Sequence, residues 1–146
     1  KMIEAIRASE AELILTHFPQ DYNLDHNITS DLAFQSSMLA QIASIRTPSP
    51  ALAKVPPIFY VDPGPGFGFE ATHFVEIEAG TVEEMMSIIV LHASQNEVAR
   101  RLLGHDLCGW MRSRLEAAGA RVGRPFAEAF RPCLAGRRTP LASMLP

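Results

Sequence analysis

A proline-rich segment, residues 46–57 (RTPSPALAKVPP), constrains the fold more than any other part of this sequence. It carries four prolines in twelve residues. Because proline has no backbone amide hydrogen and a nearly fixed φ, neither a helix nor the interior of a sheet can run through the segment. The residues on either side of it are therefore expected to build their secondary structure separately.

The residues before this segment have the spacing of two helices. Residues 2–18 place Ile3, Ile6, Leu13 and Ile14 on one side of a helix that ends at "FPQD". A second helix begins after Thr29 or Ser30, because either hydroxyl can cap the amides of a first turn. Its apolar residues recur at helical spacing: Phe34, Met38, Leu39, Ile42 and Ile45. The sequence predicts a helical hairpin over residues 1–45.

The residues after the proline-rich segment alternate as in a β-hairpin. "IFYV" leads into "DPGPG", and residues 67–78 then place apolar and polar side chains on opposite faces. The turn has glycine at alternate positions (Gly64, Gly66 and Gly68), which is a superficial likeness to a phosphate-binding loop. Such a loop runs from a strand into a helix N-terminus. Because this one joins two predicted strands, a hairpin turn is the preferred interpretation.

Three short helices are predicted between Gly80 and Gly119. The first opens with a capping box at Thr81 and is apolar nearly all round, which is typical of a central helix. The apolar face then changes direction, which favours a break near "SQN" with Asn96 capping the second helix. The third helix starts at about Leu107 and stops at Gly119, a residue suited to a left-handed C-terminal conformation.

The last segment, residues 120–146, is rich in proline, glycine and arginine but also carries apolar side chains. These residues favour an ordered arm over a disordered tail: Val122, Phe126, Phe130, Leu134, Leu141 and Leu145. The arm either packs on its own domain or wraps a partner subunit, and a homodimer formed through the arm is expected.

The predicted fold class is α+β, with residues 1–146 forming one domain. Its parts are a helical hairpin (1–45), a proline-rich linker (46–57), a β-hairpin plus three helices (58–119) and the C-terminal arm (120–146).

The charge is divided unevenly along the chain. Residues 1–95 hold four basic residues against twelve acidic ones, whereas residues 96–146 hold nine arginines against four acidic residues. Such a split indicates either an anionic partner or a self-complementary assembly. Codon bias explains the choice of arginine over lysine, but it does not explain the clustering.

Cysteine usage and hydropathy indicate a cytoplasmic protein. The sequence shows no secretory signal and no long uncharged apolar run of membrane-spanning length. Its two cysteines, Cys108 and Cys133, have neither the pattern of a disulfide framework nor zinc-ligand spacing. They are expected to be free thiols.

Metal and nucleophile chemistry are not favoured by the motifs considered. His73, His92 and His105 do not have the spacing of metal ligands, so no metal, no cofactor and no catalytic residue are predicted. One enzyme alternative remains, in which Cys108 acts as a nucleophile beside His105 and Asp106. A helix N-terminus would lower the pKa of such a thiol.

Residues 96–119 (NEVARRLLGHDLCGWMRSRLEAAG) have the parts of a helix-turn-helix. Ala99 is a small residue in the first helix, Gly104 lies in the turn, and the helix that follows has a polar outer face. "ARRLLG", followed by a helix ending in "RLEAAG" and preceded by "TVEEMMSIIV", resembles the C-terminal DNA-binding segment of bacterial enhancer-dependent activators. The resemblance implies a DNA-binding regulatory protein.

The function predicted from the sequence is therefore DNA binding by a non-enzymatic regulatory protein. Five arginines would contact phosphates or base edges: Arg100, Arg101, Arg112, Arg121 and Arg124. The alternative is a dimeric interaction or assembly protein with no nucleic-acid role, in which these arginines pair with the acidic half across subunits. A cysteine-dependent enzyme is the less favoured third interpretation.

Overall fold

The computed structural model describes residues 1–104 and 106–135. Its helices are α1 (Met2–Ala8), α2 (Leu24–Leu39), α3 (Ala79–Ile89), α4 (Ala93–Leu103) and α5 (Leu107–Arg121). Its strands are β1 (Ile14–His17), β2 (Ile58–Val61), β3 (His73–Glu76) and β4 (Ala127–Pro132). The strands form one mixed sheet in the order β1-β2-β4-β3. Helices and a mixed sheet in one chain confirm the α+β class.

Two compact units make up this part of the chain. Unit 1 contains Lys1–Thr72 and the described residues from Phe130 onward, and unit 2 contains His73–Ala129. Across the described ranges, no helix is both long and apolar enough to cross a membrane.

Unit 1 is built on a parallel β-α-β connection. Strand β1 pairs in parallel with β2, with Ile14 opposite Ile58, and α2 provides the crossover that parallel strands require. Strand β4 pairs with the other edge of β2 in the antiparallel sense, so β1 lies at the end of the sheet. Alternation along β2 gives unit 1 two apolar clusters, one around Ile58 and Tyr60 and one around Phe59.

The N-terminal residues differ from the prediction in one strand. Helix α1 ends at Ala8, and Glu10 then adopts a left-handed φ of 49°, which a continuing helix does not allow. Residues 14–17 form β1 instead of a last helical turn. The two predicted helices are present and in contact, but β1 separates them in sequence. The second begins at Leu24, earlier than predicted.

The predicted strands on either side of the "DPGPG" loop are present, but they are not neighbours. Strand β4, which lies inside the predicted arm, is between β2 and β3 in the sheet. The amide of Thr72 donates to the carbonyl of Phe130 at 3.0 Å, and the amide of Cys133 donates to the carbonyl of Ile58 at 2.8 Å. Alternation of apolar and polar residues locates strands but does not identify their partners. The predicted β-hairpin was therefore wrong, although both of its strands are present.

A single buried side chain closes the C-terminal end of α2. Arg7 is 3% exposed, and its guanidinium donates to the carbonyls of Ala40, Ile42 and Ile45 at 2.8–2.9 Å. A further bond, of 2.8 Å, goes to the hydroxyl of Thr47. The carbonyls of Ala40 and Ile42 also accept from the amides of Leu52 and Ile45. The cation therefore adds charge-assisted donors to carbonyls at a helix end and in the turn after it.

Unit 2 contains the predicted succession of three helices. They pack around Val82, Met86 and Leu115, which are buried. The first break falls at residues 90–92, before the predicted one, so Asn96 lies inside α4. Its buried amide donates to the carbonyls of Ile89 and His92, at 3.0 and 3.2 Å, and so joins α3 to α4.

Helix boundaries in unit 2 also differ from two capping predictions. Helix α3 begins at Ala79 with Glu78 at its N-cap and no side-chain cap bond, so the capping box at Thr81 does not form. Helix α5 continues through Gly119 to Arg121. A Cβ at position 119 would lie 2.6 Å from the carbonyl oxygen of Arg124. Gly119 is therefore needed for a close backbone approach, and the left-handed residue is Gly123, with φ of 70°.

Candidate metal centre

Three potential metal ligands meet where β1 ends and α2 begins. His17 is the last residue of β1, Asp21 lies in the loop that follows, and His26 is in the first turn of α2. Their ligand atoms all lie within 4.8 Å of one another, and each residue is partly buried. We call these residues the His17–Asp21–His26 cluster.

The loop that carries Asp21 is fixed by amide hydrogen bonds. The backbone amide of Asp21 donates to Oδ1 of Asn27 at 2.9 Å, and Nδ2 of Asn27 donates to the Asp21 carbonyl at 3.0 Å. The amide of Asn23 donates to Oδ1 of Asp21, and Oδ1 of Asn23 in turn caps α2 by accepting from the amide of Asp25. Side-chain-to-backbone hydrogen bonds thus hold the loop of the cluster in place, as a preorganised site requires.

Asp21 and His26 form the arrangement that orients a metal-binding imidazole. Nδ1 of His26 lies 3.0 Å from Oδ2 of Asp21, whose side chain is only 3% exposed. A proton on Nδ1 leaves the Nε2 lone pair of His26 for a cation. The carboxylate either orients His26 in this way or shares the ion with it.

His17 is held in the uncharged form that metal binding needs. Its ring stacks on that of His26, with 3.8 Å between centroids and 5° between planes. Burial, followed by the charge of His26, lowers the pKa of His17, and the charge of Asp21 opposes this shift. An imidazole must be deprotonated at the coordinating nitrogen to bind a metal, so the lowered pKa of His17 favours the form that can bind a cation.

The donor set fits a divalent transition metal. Metal–ligand bonds of about 2 Å hold the ligands of one ion within about 4 Å of each other, so the two imidazoles would turn out of their stacked arrangement to direct both lone pairs at one ion. Two imidazoles and a carboxylate are ligands that zinc and similar metals accept.

The lowered pKa of His17 predicts that acid destabilises unit 1. In the window between its folded pKa and the ordinary value of about 6.5, the unfolded chain binds more protons, so the free energy of unfolding rises with pH. In the presence of a chelator, thermal melts should therefore give a lower Tm at about pH 5.5 than at about pH 7.5. His17→Phe should reduce this difference, whereas His92→Gln, in unit 2, should keep it. An unchanged difference in His17→Phe would contradict the prediction.

Two aromatic side chains stand beside the cluster. The ring of Tyr22 is 5.7 Å from that of His26 and 6.2 Å from that of Phe67. Tyr22 is 67% exposed. The structure therefore places an accessible aromatic ring next to a histidine of the cluster.

Three of the arginines predicted to bind DNA contact side chains of unit 2. Arg112 donates to both carboxylate oxygens of Glu83 at 2.8 and 2.9 Å. Nε of Arg124 lies 3.4 Å from a carboxylate oxygen of Glu76. The guanidinium of Arg121 lies over the ring of Phe74, 4.8 Å from its centroid.

The other two predicted arginines, Arg100 and Arg101, are exposed in the last turn of α4. Basic residues at this position favour the negative end of the helix dipole, which gives them a role in helix stability without a ligand.

The residues of the cysteine alternative have structural contacts. Cys108 packs at the edge of the Val82–Met86–Leu115 core, and its Sγ is 3.7 Å from the carbonyl of Met86. Asp106 caps α5 by accepting from the amide of Gly109 at 2.8 Å, and this bond lowers the pKa of Asp106. His105 lies outside the described residues.

No family model matches the chain, and no curated protein matches it. Solved structures do share its fold. The conserved protein TT1542 from Thermus thermophilus aligns with a TM-score of 0.75 and 19% identity over 95% of this chain and 59% of its own. GalB, the 4-carboxy-2-hydroxymuconate hydratase from Pseudomonas putida KT2440, aligns with a TM-score of 0.70 and 20% identity over 97% and 60%.

A third solved structure is the N,N'-diacetylchitobiose deacetylase from Pyrococcus horikoshii in complex with an inhibitor. It has a TM-score of 0.70 and 16% identity, and the alignment covers 90% of this chain and 49% of the deacetylase. The chain thus spans less than two thirds of the length of each of these three structures. Identities this low establish a shared fold.

The comparisons overturn the predicted function. Two of these structures are enzymes, so DNA binding by a regulatory protein, and the expectation that the chain is not an enzyme, are wrong. The alternative of a non-enzymatic assembly protein gains no support either. The resemblance to a DNA-binding segment depended on the succession of three short helices. Helices α3, α4 and α5 reproduce that succession within a fold that these enzymes share.

The cluster was missed because His17 was assigned to the wrong secondary structure. With residues 2–18 interpreted as one helix, nothing brought His17 near His26. The available signal was the string "THFPQDYNLDH", in which a strand end, a short loop and a capped helix carry His17, Asp21 and His26.

Proposed function

We propose that this chain carries a metal site of an enzyme that uses water as a reactant. The observation that supports this function is the His17–Asp21–His26 cluster. When bound, a divalent metal would lower the pKa of a coordinated water and polarise the substrate. His17 and His26 would hold it, and Asp21 would either be a third ligand or orient His26.

The neighbouring structures support the same chemistry from a second direction. A hydratase adds water to its substrate, and a deacetylase uses water to remove an acetyl group. These two reactions have different substrates, but in both of them water is the attacking reagent. We propose the same use of water for the present chain, but we do not assign it the substrate of either enzyme.

The chain's own residues prepare the site in three ways. With its proton on Nδ1, His26 donates a hydrogen bond to the buried carboxylate of Asp21, and this bond fixes the ring so that Nε2 is free for a ligand. Burial and then the charge of His26 lower the pKa of His17, which favours its neutral form. The Asn27 side chain holds the Asp21 backbone through two hydrogen bonds, so the loop keeps its shape before the metal arrives.

Metal binding by the purified chain tests this proposal. After removal of metals with a chelator, titration with Co²⁺ should show one bound ion, with visible absorption bands from nitrogen and oxygen ligands. His26→Ala should abolish the bands. Asp21→Asn should weaken affinity by about 10- to 100-fold if the carboxylate orients the ring. His92→Ala, in unit 2, is the matched control and should bind as the wild type does. Binding that survives His26→Ala would overturn the proposal.

Two further expectations are retained as proposals. A cytoplasmic location is supported by Cys108 and Cys133, which are both free thiols. The homodimer formed through residues 120–146 is the second. Residues 136–146 of that arm lie outside the described part of the chain, and the mass of the protein in solution, measured by light scattering, would test the dimer.

A further inference from the structure

The backbone around Tyr22 is held beside the His17–Asp21–His26 cluster, and the exposed ring of Tyr22 contacts the ring of His26. Tyr22 lies between Asp21, whose backbone is fastened by Asn27, and Asn23, which caps α2. Its side chain is nevertheless 67% exposed. Because the ring is mostly exposed, it contributes little to folding by burial. Its accessible face can instead contact a ligand.

A second segment brings another aromatic ring to Tyr22. Phe67 lies between Gly66 and Gly68, whose φ angles are 93° and 67°. A Cβ on either glycine would meet nothing within 4 Å. Glycine is thus required there for the backbone conformation, not for space. That conformation places the ring of Phe67 6.2 Å from the ring of Tyr22, with their planes 44° apart.

The two rings are close enough to the cluster for one small substrate to reach both. The ring of Tyr22 is 5.7 Å from that of His26 and inclined to it by 70°. A substrate whose reacting group sits at the cluster would therefore place the group next to it against Tyr22. Aromatic rings favour offset-stacked or edge-to-face contacts with another flat π-system at centroid distances of about 4.5–7 Å.

We infer that Tyr22 and Phe67 form an aromatic platform that selects substrates with a flat unsaturated ring next to the group that water attacks. The inference rests on the proposed function, because it takes the metal-bound end of the substrate to lie at the His17–Asp21–His26 cluster. Tyr22 is the principal specificity-determining residue, and Phe67 supports its ring from the glycine-flanked loop.

Hydroxamates test the platform, because they bind a divalent metal through two oxygens whatever group they carry. The zinc-loaded chain would be titrated by calorimetry with acetohydroxamate, benzohydroxamate and cyclohexanehydroxamate, which share one chelating head. Benzohydroxamate should bind about tenfold more tightly than acetohydroxamate, and more tightly than the non-planar cyclohexane compound.

Variants assign the preference to the two rings. Tyr22→Ala should lose the preference for benzohydroxamate without changing the affinity for acetohydroxamate, and Tyr22→Phe should retain the preference. Phe67→Leu, in the separate loop, should reduce it. The control is Leu24→Ala, which removes a 69% exposed side chain two residues from Tyr22 and should leave all three affinities unchanged.

The outcomes separate this inference from the proposed function. If the wild type does not take up zinc, the metal site is refuted and the platform with it. If it takes up zinc and binds none of the three probes, the metal site stands and the platform is refuted. If acetohydroxamate binds and benzohydroxamate binds no better, the metal site stands and the platform is refuted. Equal affinity for the benzene and cyclohexane compounds would refute the selection of a flat ring.

Discussion

Replacing Arg7 with alanine should lower the free energy of unfolding of unit 1 by about 3–5 kcal/mol, which is enough to unfold many small domains. The substitution removes the donors that satisfy three carbonyls and one hydroxyl. The carbonyl of Ala40, a residue with no exposed surface, keeps the amide of Leu52 as a donor at 3.0 Å, so what the variant loses is the charge-assisted donation from the guanidinium. Hydrogen bonds that involve a charged group contribute about 1.5–3 kcal/mol each. Urea unfolding followed by circular dichroism measures the change.

The control for this experiment is the other arginine of the same region. Arg46 is exposed and lies next to Ile45, one of the residues that Arg7 binds. Arg46→Ala should change stability by no more than about 0.5 kcal/mol. Arg7→Lys should fall between the two variants, because a single ammonium group cannot reproduce the planar fork of donors. Similar losses for Arg7→Ala and Arg46→Ala would show that the buried hydrogen bonds are not the source of stability.

Replacing Gly119 with alanine should destabilise unit 2 by about 3 kcal/mol, although alanine is the better helix former by about 1 kcal/mol. The added Cβ would lie 2.6 Å from the carbonyl oxygen of Arg124 and 2.8 Å from the amide nitrogen of Phe126. Both are backbone atoms, so relief requires the connection between α5 and β4 to move. The sign of the change is therefore decisive, and a thermal melt measures it.

Gly80 provides a matched comparison for Gly119. It lies inside α3, and a Cβ built on it meets nothing within 4 Å. Gly80→Ala should therefore stabilise the protein by about 0.4–1 kcal/mol through the lower entropy of the unfolded chain. If Gly119→Ala were also stabilising, the close approach of α5 to residues 124–126 would not be a constraint.

Local periodicity was sufficient to predict the fold class and most of the helices. Apolar spacing located the second helix and the three-helix succession, because these signals lie within one element. Strand β1 was hidden, since its four residues continue an apolar pattern that also fits a helix. Strand β4 was hidden for another reason. It lies in a segment rich in proline and glycine, and its pairing with β2 is a contact between residues about seventy positions apart.

The candidate site depended on the element that the sequence did not reveal. His17 and His26 come together only when the chain leaves a strand, crosses a short loop and enters a capped helix. The clustered charge of the arginines in the last third predicted a nucleic-acid contact. However, Arg112 and Arg124 pair with Glu83 and Glu76 in unit 2, which a count of charges cannot show.

The position of β1 at the end of the sheet affects how the protein behaves at high concentration. Within the described residues β1 is bonded to β2 on one side, and its four residues (ILTH) include no proline or lysine. Leu15, near its centre, is 57% exposed. A strand edge of this kind can pair with a strand of another molecule, because its outer edge presents backbone donors and acceptors and its exposed apolar side chain adds a contact. We therefore expect concentrated protein to self-associate by adding strands at the outer edge of β1. This association would not require a metal at the His17–Asp21–His26 cluster.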